Sequence, residues 1–243
     1  MTTTVLITRP DPNGLLLADE LRNRWGCGVR LVVSPILQIS IVGALPDLHE
    51  VSRLIFTSKH GVAAFVSLSA RRDLACYAVG SATAQAAWDA GFAVTRADGD
   101  VEALFDRIMA DDPSGHYLHI RGEHSAGDLA SRLTAAGRPA SESVVYRQVA
   151  QPLSEEAQTC LGRECPVILP LYSPRSAQIV FSQINPVAPV LVAALSNNVA
   201  LSVPKDAVNS LHIATRPDAE AMFVAMDTLL EQAKLLEGAK RAQ

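Results

Sequence analysis

The chain lacks most of the features that assign a protein quickly. Its 243 residues include 4 cysteines (Cys27, Cys76, Cys160 and Cys165). These form no CxxC, and no histidine pair lies beside them at a zinc-binding spacing, so neither a structural metal centre nor a redox dithiol is supported. Four packing thiols in a reducing compartment are expected. A basic excess is also missing. Lys+Arg is 21 against Asp+Glu 25, a net charge of −4, which argues against nucleic acid and a membrane surface as partners because both require concentrated positive charge. Long apolar runs are absent too. Leu31 to Leu45 is broken by Pro35, Gln38 and Gly43, and Val187 to Val203 by Pro189, Ser196, Asn197 and Asn198. Neither supplies the roughly 18 clean apolar residues of a bilayer span. The opening MTTTVLITRP has no basic region followed by an apolar core of signal-peptide length, and the expected location is the cytoplasm.

Catalytic signatures are equally scarce. Thr8-Arg9-Pro10-Asp11 follows the first strand where a dinucleotide-binding loop would carry GxGxxG, and neither GxxxxGK[ST] nor GxSxG occurs. The six histidines (His49, His60, His116, His119, His124, His212) show no triad-like setting. His119 and His124 lie nearest a strand end, where a lone histidine reads as a cap or surface residue. Nicotinamide, ATP and metal chemistry thus lack their usual carriers, and no cofactor and no metal are expected.

What is present is an ordinary globular composition, 49% hydrophobic and 19% charged, long enough for one large domain or two modest ones. Apolar strand patterns at Val5–Thr8, Val29–Val33, Leu54–Thr57, Tyr77–Val79, Tyr117–Ile120, Ser143–Arg147, Val167–Tyr172, Val190–Ala194 and Leu211–Ala214 alternate with helical ones. The helices are expected at Leu15–Arg24, His60–Leu68, Ala82–Ala90, Val101–Met109, Ala126–Ala136, Ser176–Ile184 and Ala219–Leu236. Strands this apolar, separated by amphipathic helices, predict an α/β fold with parallel sheet covered on both faces.

The chain also matches itself. Ile7-Thr8-Arg9 falls on His119-Ile120-Arg121, Phe56-Thr57-Ser58 on Leu171-Tyr172-Ser173, Ala78-Val79-Gly80 on Ala194-Leu195-Ser196, and Asp100 to Phe105 on Asp218 to Phe223. The offsets drift from 112 to 118 residues while the order is kept. Such a period predicts two similar α/β lobes.

Ligands of parallel sheets bind at the carboxyl ends of the strands. The residues there are Thr8-Arg9-Pro10, Thr57-Ser58-Lys59, Gly80 to Thr83, Arg121-Gly122-Glu123, Tyr172 to Arg175, and Ser196-Asn197-Asn198. Ser58, Ser173 and Ser196 would cap a helix in any protein. Hydroxyls, free backbone N–H groups and four cations at such junctions nevertheless point to an anionic small molecule.

These segments, taken in order, carry a resemblance. VLITRP at the start, LIFTSKHGVAAF (Leu54–Phe65), YAVGSATAQAA (Tyr77–Ala87), LHIRGEHSAGDLASRL (Leu118–Leu133), SVVYRQV (Ser143–Val149) and LYSPRSAQIVF (Leu171–Phe181) resemble the uroporphyrinogen-III synthase family from Val5 to about Met226. The resemblance implies two flavodoxin-like parallel-sheet lobes joined by a two-stranded linker, with the substrate in the cleft between them. The repeat alone would divide the chain near residue 115. The resemblance instead implies interleaved lobes, 1–37 plus 151–243 and 39–148.

The implied reaction needs no cofactor. Hydroxymethylbilane, a linear tetrapyrrole octacarboxylate, loses its terminal hydroxyl as water and closes with inversion of the last pyrrole ring to give uroporphyrinogen III. Tyr146 stands where the resemblance puts the family's functional tyrosine and is the candidate acid for the leaving hydroxyl. Arg9, Lys59, Arg121, Arg147 and Arg175 are candidate carboxylate donors, together with Thr57, Ser58, Gly80, Thr83, Gly122, Ser173, Ser196 and Asn197. One departure stands out: Ser196 and Val199 occupy the places that Gly80 and Thr83 hold in the other half of the repeat, and Val199 has no hydroxyl to donate. A monomer is expected. Two non-catalytic alternatives stay open, a two-lobed anion-binding protein and a degenerate synthase-like regulator.

Overall fold

The computed structural model describes residues 2–111, 115–124 and 128–241, with side chains as far as 238. It divides into two compact units, Met1–Gln38 with Ala150–Gln243, and Ile39–Val149. The first unit opens with β1 (Thr4–Ile7), α1 (Asn13–Trp25) and β2 (Arg30–Val33). The chain leaves it through β3 (Leu37–Ile41) and builds the second unit from β4 (Val51–Phe56), α2 (Lys59–Leu68), β5 (Ala75–Val79), α3 (Gly80–Asp89), β6 (Val94–Ala97), α4 (Val101–Ala110), β7 (His116–Gly122), α5 (Leu129–Ala135) and β8 (Ala140–Ala150). It then completes the first unit with α6 (Glu155–Leu161), β9 (Val167–Leu171), α7 (Pro174–Phe181), β10 (Val190–Ala194), α8 (Asn197–Ala200), β11 (Ser210–Ile213) and α9 (Ala219–Arg241).

The first sheet has the order β11-β10-β9-β1-β2, with every neighbouring pair parallel. Counted along its own strands this is the 2-1-3-4-5 order of flavodoxin-like sheets. The second sheet runs β3-β8-β7-β4-β5-β6. Set β3 aside as an added edge strand, and β8-β7-β4-β5-β6 repeats the order of the first sheet, again in parallel pairs. The internal repeat explains why. Its matched segments place β1 on β7, β9 on β4, β10 on β5 and α9 on α4, and each pair occupies the same place in its own sheet. The second unit is the same fold entered at its third strand.

Burial follows from the strand composition. All five residues of β9 and of β10 are buried, as continuous apolar runs in a sheet covered on both faces require. On one face of the first sheet Leu6, Val32, Leu169 and Val192 form a core. On the other, Val5, Ile7, Ile168 and Leu191 pack beneath Met222, Met226 and Leu229 of α9. The second sheet is arranged alike, with Leu54, Phe56, Leu118 and Ile120 facing Val62 and Phe65 of α2, and Ile55 and Tyr117 facing Leu104, Ile108 and Leu133.

Every expected strand forms. The strand and helix patterns predict none of β6, α6 and α8, and β3 is anticipated only through the two-stranded linker that the resemblance implies. The helix expected at Ala126–Ala136 begins among residues outside the described ones and is seen as Leu129–Ala135. The helix expected at Ser176–Ile184 begins two residues earlier and ends three earlier, at Pro174–Phe181, with Pro174 in its first turn, where a missing N–H costs nothing. No helix among the described residues is long and apolar enough to cross a membrane.

Candidate functional site

A doubly wound sheet opens a crevice where its strand order reverses, outside the carboxyl ends of the two strands that diverge there. In the first unit that point lies between β1 and β9, and in the second between β7 and β4. Most of the residues singled out from the sequence stand at these two places.

In the first unit Arg9 follows β1 and Tyr172 follows β9. The Arg9 guanidinium carbon lies 4.0 Å from the centroid of the Tyr172 ring, a cation–π contact that holds a long side chain in one orientation. Burial pushes the Tyr172 hydroxyl above its ordinary range, and neighbouring Arg9 opposes that shift. The close turn after β1 depends on a glycine, since a Cβ on Gly14 would sit 2.7 Å from the Arg9 carbonyl oxygen. Ser173 caps α7. Its Oγ accepts from the Ser176 amide at 3.1 Å and donates to Ser176 Oγ at 2.8 Å. Arg175, in the first turn of α7, is half-buried. One strand further out, Ser196 caps α8 by accepting from Val199 N at 3.5 Å, and Asn197 is exposed.

In the second unit β4 ends at Phe56, and Thr57, Ser58 and Lys59 turn into α2. Ser58 Oγ accepts from the His60 amide at 3.2 Å. Thr57 Oγ1 lies 3.1 Å from Nε2 of His119, a residue of the neighbouring β7 that is 3% exposed. Burial lowers the His119 pKa to about 4, Glu142 pulling it up and Arg121 pushing it down. Its imidazole is therefore neutral at neutral pH.

The end of β7 explains where Tyr146 goes. The pairing of β7 with β8 slips between Arg121 and Gly122, so that Gly122 faces Tyr146 instead of Val145. Such a bulge re-aims a side chain. The Tyr146 ring lies over Gly122 so closely that a Cβ there would stand 2.6 Å from two ring carbons. His60 flanks the ring, with centroids 6.0 Å apart, and burial together with Lys59 keeps the His60 pKa below its usual value. Tyr146 is 7% exposed and belongs to the apolar cluster under α2. Gly80, at the start of α3, has φ +69°, a left-handed conformation suited to glycine.

Two of the candidate site residues are tied into the fold by contacts of their own. Arg121 does not stand open to solvent: it donates to the Glu142 carboxylate from its NH2 group at 2.5 Å and to the Gly122 carbonyl at 3.0 Å. Its hydrogen bond holds the Glu142 carboxyl below the usual carboxylate range. Thr83 faces inward in α3 at 7% exposure, and its counterpart Val199 is buried at 2%, so a valine fills that place in the other unit by packing. Sequence reasoning missed His60 and Glu142 as parts of the site, named Tyr172 only as a strand-end residue, and read His119 as a cap or surface residue. The signal that could have found His119 was in the repeat, where its match is Ile7, a core position. Among the described residues, no group of three or more His, Cys, Asp or Glu is placed to hold a metal ion.

Two parallel sheets of flavodoxin order, each with a cation and hydroxyls at its point of strand reversal, define a tandem α/β protein. The family model for uroporphyrinogen-III synthase HemD matches residues 19–224, and the chain belongs to that family. Among solved structures it is similar to the uroporphyrinogen-III synthetase of Helicobacter pylori, with 19% identity, 94% of this chain and 100% of that one covered, and a TM-score of 0.68. It is also similar to a mutant uroporphyrinogen III synthase of the extremely thermophilic bacterium Thermus thermophilus, with 14% identity, 96% and 100% covered, and a TM-score of 0.53. These two likenesses speak for the fold. No curated protein sequence matches the chain.

Proposed function

We propose that this chain is a uroporphyrinogen-III synthase, a cyclising hydro-lyase acting on hydroxymethylbilane without a cofactor, in the cytoplasm and as a monomer. The observation that carries the reading is the family match across residues 19–224. The two strand-reversal points support it by gathering donors suited to carboxylates.

The pyrrole nitrogens of the bilane push out the terminal hydroxyl, so the protein needs only a modest acid, typically worth ~10²–10⁴-fold. Tyr146 fills that role. Its ring is fixed by Gly122 below and His60 beside it, and a group held in place loses little entropy on reaching the transition state. The substrate carboxylates are held by Arg9, oriented on Tyr172, by Lys59 and Arg175, by the Thr57 and Ser173 hydroxyls, and by backbone N–H groups near Ser58, Gly80, Gly122, Ser196 and Asn197. Arg121 acts with Glu142 as a pair and shapes the site through its carbonyl contact at Gly122. Thr83 supports the start of α3 from within. Ring inversion is then selection of a curled substrate conformation by the placement of these donors.

The test is to supply freshly made hydroxymethylbilane and separate the porphyrin isomers after oxidation. Type III isomer formed in proportion to enzyme is expected. Type I isomer alone, at the uncatalysed rate, overturns the reading and leaves the two non-catalytic alternatives, an anion-binding protein and a synthase-like regulator.

A further inference from the structure

One buried polar group has no place in the chemistry above. His119 lies in the middle of the second sheet, 3% exposed, with Nε2 3.1 Å from Thr57 Oγ1 and with Nδ1 buried and unpartnered. The matching position in the first unit is Ile7, which is fully buried. The fold therefore accepts an apolar side chain here, and packing alone does not call for an imidazole.

The two nitrogens fix the tautomer. A neutral imidazole carries one N–H and one lone pair. If the proton sat on Nδ1, a buried N–H would have no acceptor, and orphaned buried N–H groups are rare in native proteins; an unpaired lone pair is the more tolerable omission. The third state, imidazolium, is disfavoured by burial, and the charged groups that act on this ring, Glu142 and Arg121, oppose one another. The proton therefore belongs on Nε2, and the hydrogen bond runs from Nε2–H to Thr57 Oγ1. A hydroxyl that accepts this bond keeps its own hydrogen to give away. Thr57 is half-buried at the open end of β4, one residue before the cap of α2.

We infer that His119 is a positioning residue: it holds its proton on Nε2, donates it to Thr57, and so turns the Thr57 hydroxyl outward as a donor to a substrate carboxylate. The inference rests on the synthase reading for the identity of the carboxylate, but the tautomer stands apart from it.

Full-length protein labelled with ¹⁵N-histidine answers the first half. Long-range ¹H–¹⁵N correlation spectra are expected to show His119 as the Nε2–H tautomer throughout pH 5.5 to 8. An Nδ1–H tautomer, or titration near the ordinary histidine pKa, overturns the inference. Kinetics with hydroxymethylbilane answer the second half. Thr57→Val and His119→Phe should each raise KM about tenfold, the scale of one hydrogen bond to a charged group, with kcat little changed. The double variant should be no worse than either single one. His119→Gln, whose amide can place an N–H near the same spot, should recover most of the loss. Additive losses, or a fall in kcat at constant KM, overturn the inference. Thr57→Val changes a half-buried side chain, so it keeps the test open should His119→Phe fold poorly. If the wild-type protein does not convert the bilane, the synthase reading falls. The hydroxyl assignment is then judged by binding of uroporphyrin, itself an octacarboxylate: a tenfold weaker Kd in Thr57→Val supports it and an unchanged Kd overturns it.

Discussion

A tyrosine ring laid against a glycine backbone decides how sharply the proposed chemistry can be tested. Tyr146 and Gly122 occupy one volume, because a Cβ on residue 122 would come within 2.6 Å of the ring and 3.0 Å of the hydroxyl. Tyr146→Phe removes only the hydroxyl and is expected to lower kcat on the order of 10²-fold, the low end of general-acid contributions, while the urea midpoint barely moves. Gly122→Ala leaves the hydroxyl present but displaces the ring. It should lower kcat comparably and also destabilise the fold by about 1–3 kcal/mol, the usual result of overpacking. Equal turnover in Tyr146→Phe and wild type removes Tyr146 from the mechanism. His119 offers a second test at this scale, through pH. Above its unfolded pKa near 6.5 the ring is neutral in both states and adds no pH dependence. As pH falls from 6.5 toward its folded value of about 4, the unfolded chain binds a proton that the folded chain does not, and stability drops. Between pH 7.5 and 5 this amounts to about 2 kcal/mol. His60 titrates in the same direction, so the diagnostic quantity is the difference between wild type and His119→Gln. Urea unfolding at the two pH values should show a smaller loss in the variant, and parallel losses would show that the ring does not carry this term.

Helix caps separate stability from function at the level of elements. Ser58 caps α2 at the proposed site, whereas Ser154 caps α6 by accepting from Ala157 N at 3.3 Å, where no substrate contact is proposed. Each serine to alanine change should cost about 1 kcal/mol, seen as matched shifts in thermal or urea midpoints. Only Ser58→Ala is expected to raise KM as well, by loosening the amides that follow Thr57. If Ser154→Ala impairs turnover equally, the effect is global. The elements also show what a sequence discloses. β9 and β10 were legible because both faces are buried and the apolar run is unbroken. α8 has four residues and α6 seven, too few turns to display a period. The four-residue β6 is only partly buried and runs straight into an Asp-Gly stretch. The site was half legible for a related reason. Strand-end residues such as Arg9, Thr57 and Ser173 can be named from the order of elements alone. The pairing of Arg121 with Glu142, or of Gly122 with Tyr146, depends on the β7–β8 register and its bulge, which the strands acquire only on pairing.

For the molecule as a whole, the proposed octacarboxylate substrate sets a charge problem for a chain of net charge −4. The α/β class and the two-fold repeat were readable in advance, and the structure adds that both units share one strand order, so each presents a strand-reversal point of its own. Charge at long range and charge at contact make opposite demands. If the overall field governs encounter, added salt screens a repulsion and KM falls. If Arg9, Lys59 and Arg175 act at contact, salt screens attractions and competing anions occupy the donors, so KM rises. The Debye length is about 10 Å at 0.1 M and shrinks to about 3 Å at 1 M. Contacts at hydrogen-bond distance therefore outlast the long-range term but are weakened where the cations are partly exposed. We expect KM for hydroxymethylbilane to rise several-fold between roughly 0.05 and 0.5 M monovalent salt, with kcat constant because, in the proposed mechanism, the departure of water draws on the pyrrole nitrogens and Tyr146. Arg9→Gln should flatten that rise by removing one of the screened contacts. A KM that falls with salt would mean that the arginine and lysine side chains contribute little, leaving backbone N–H groups and hydroxyls such as Thr57 to hold the substrate.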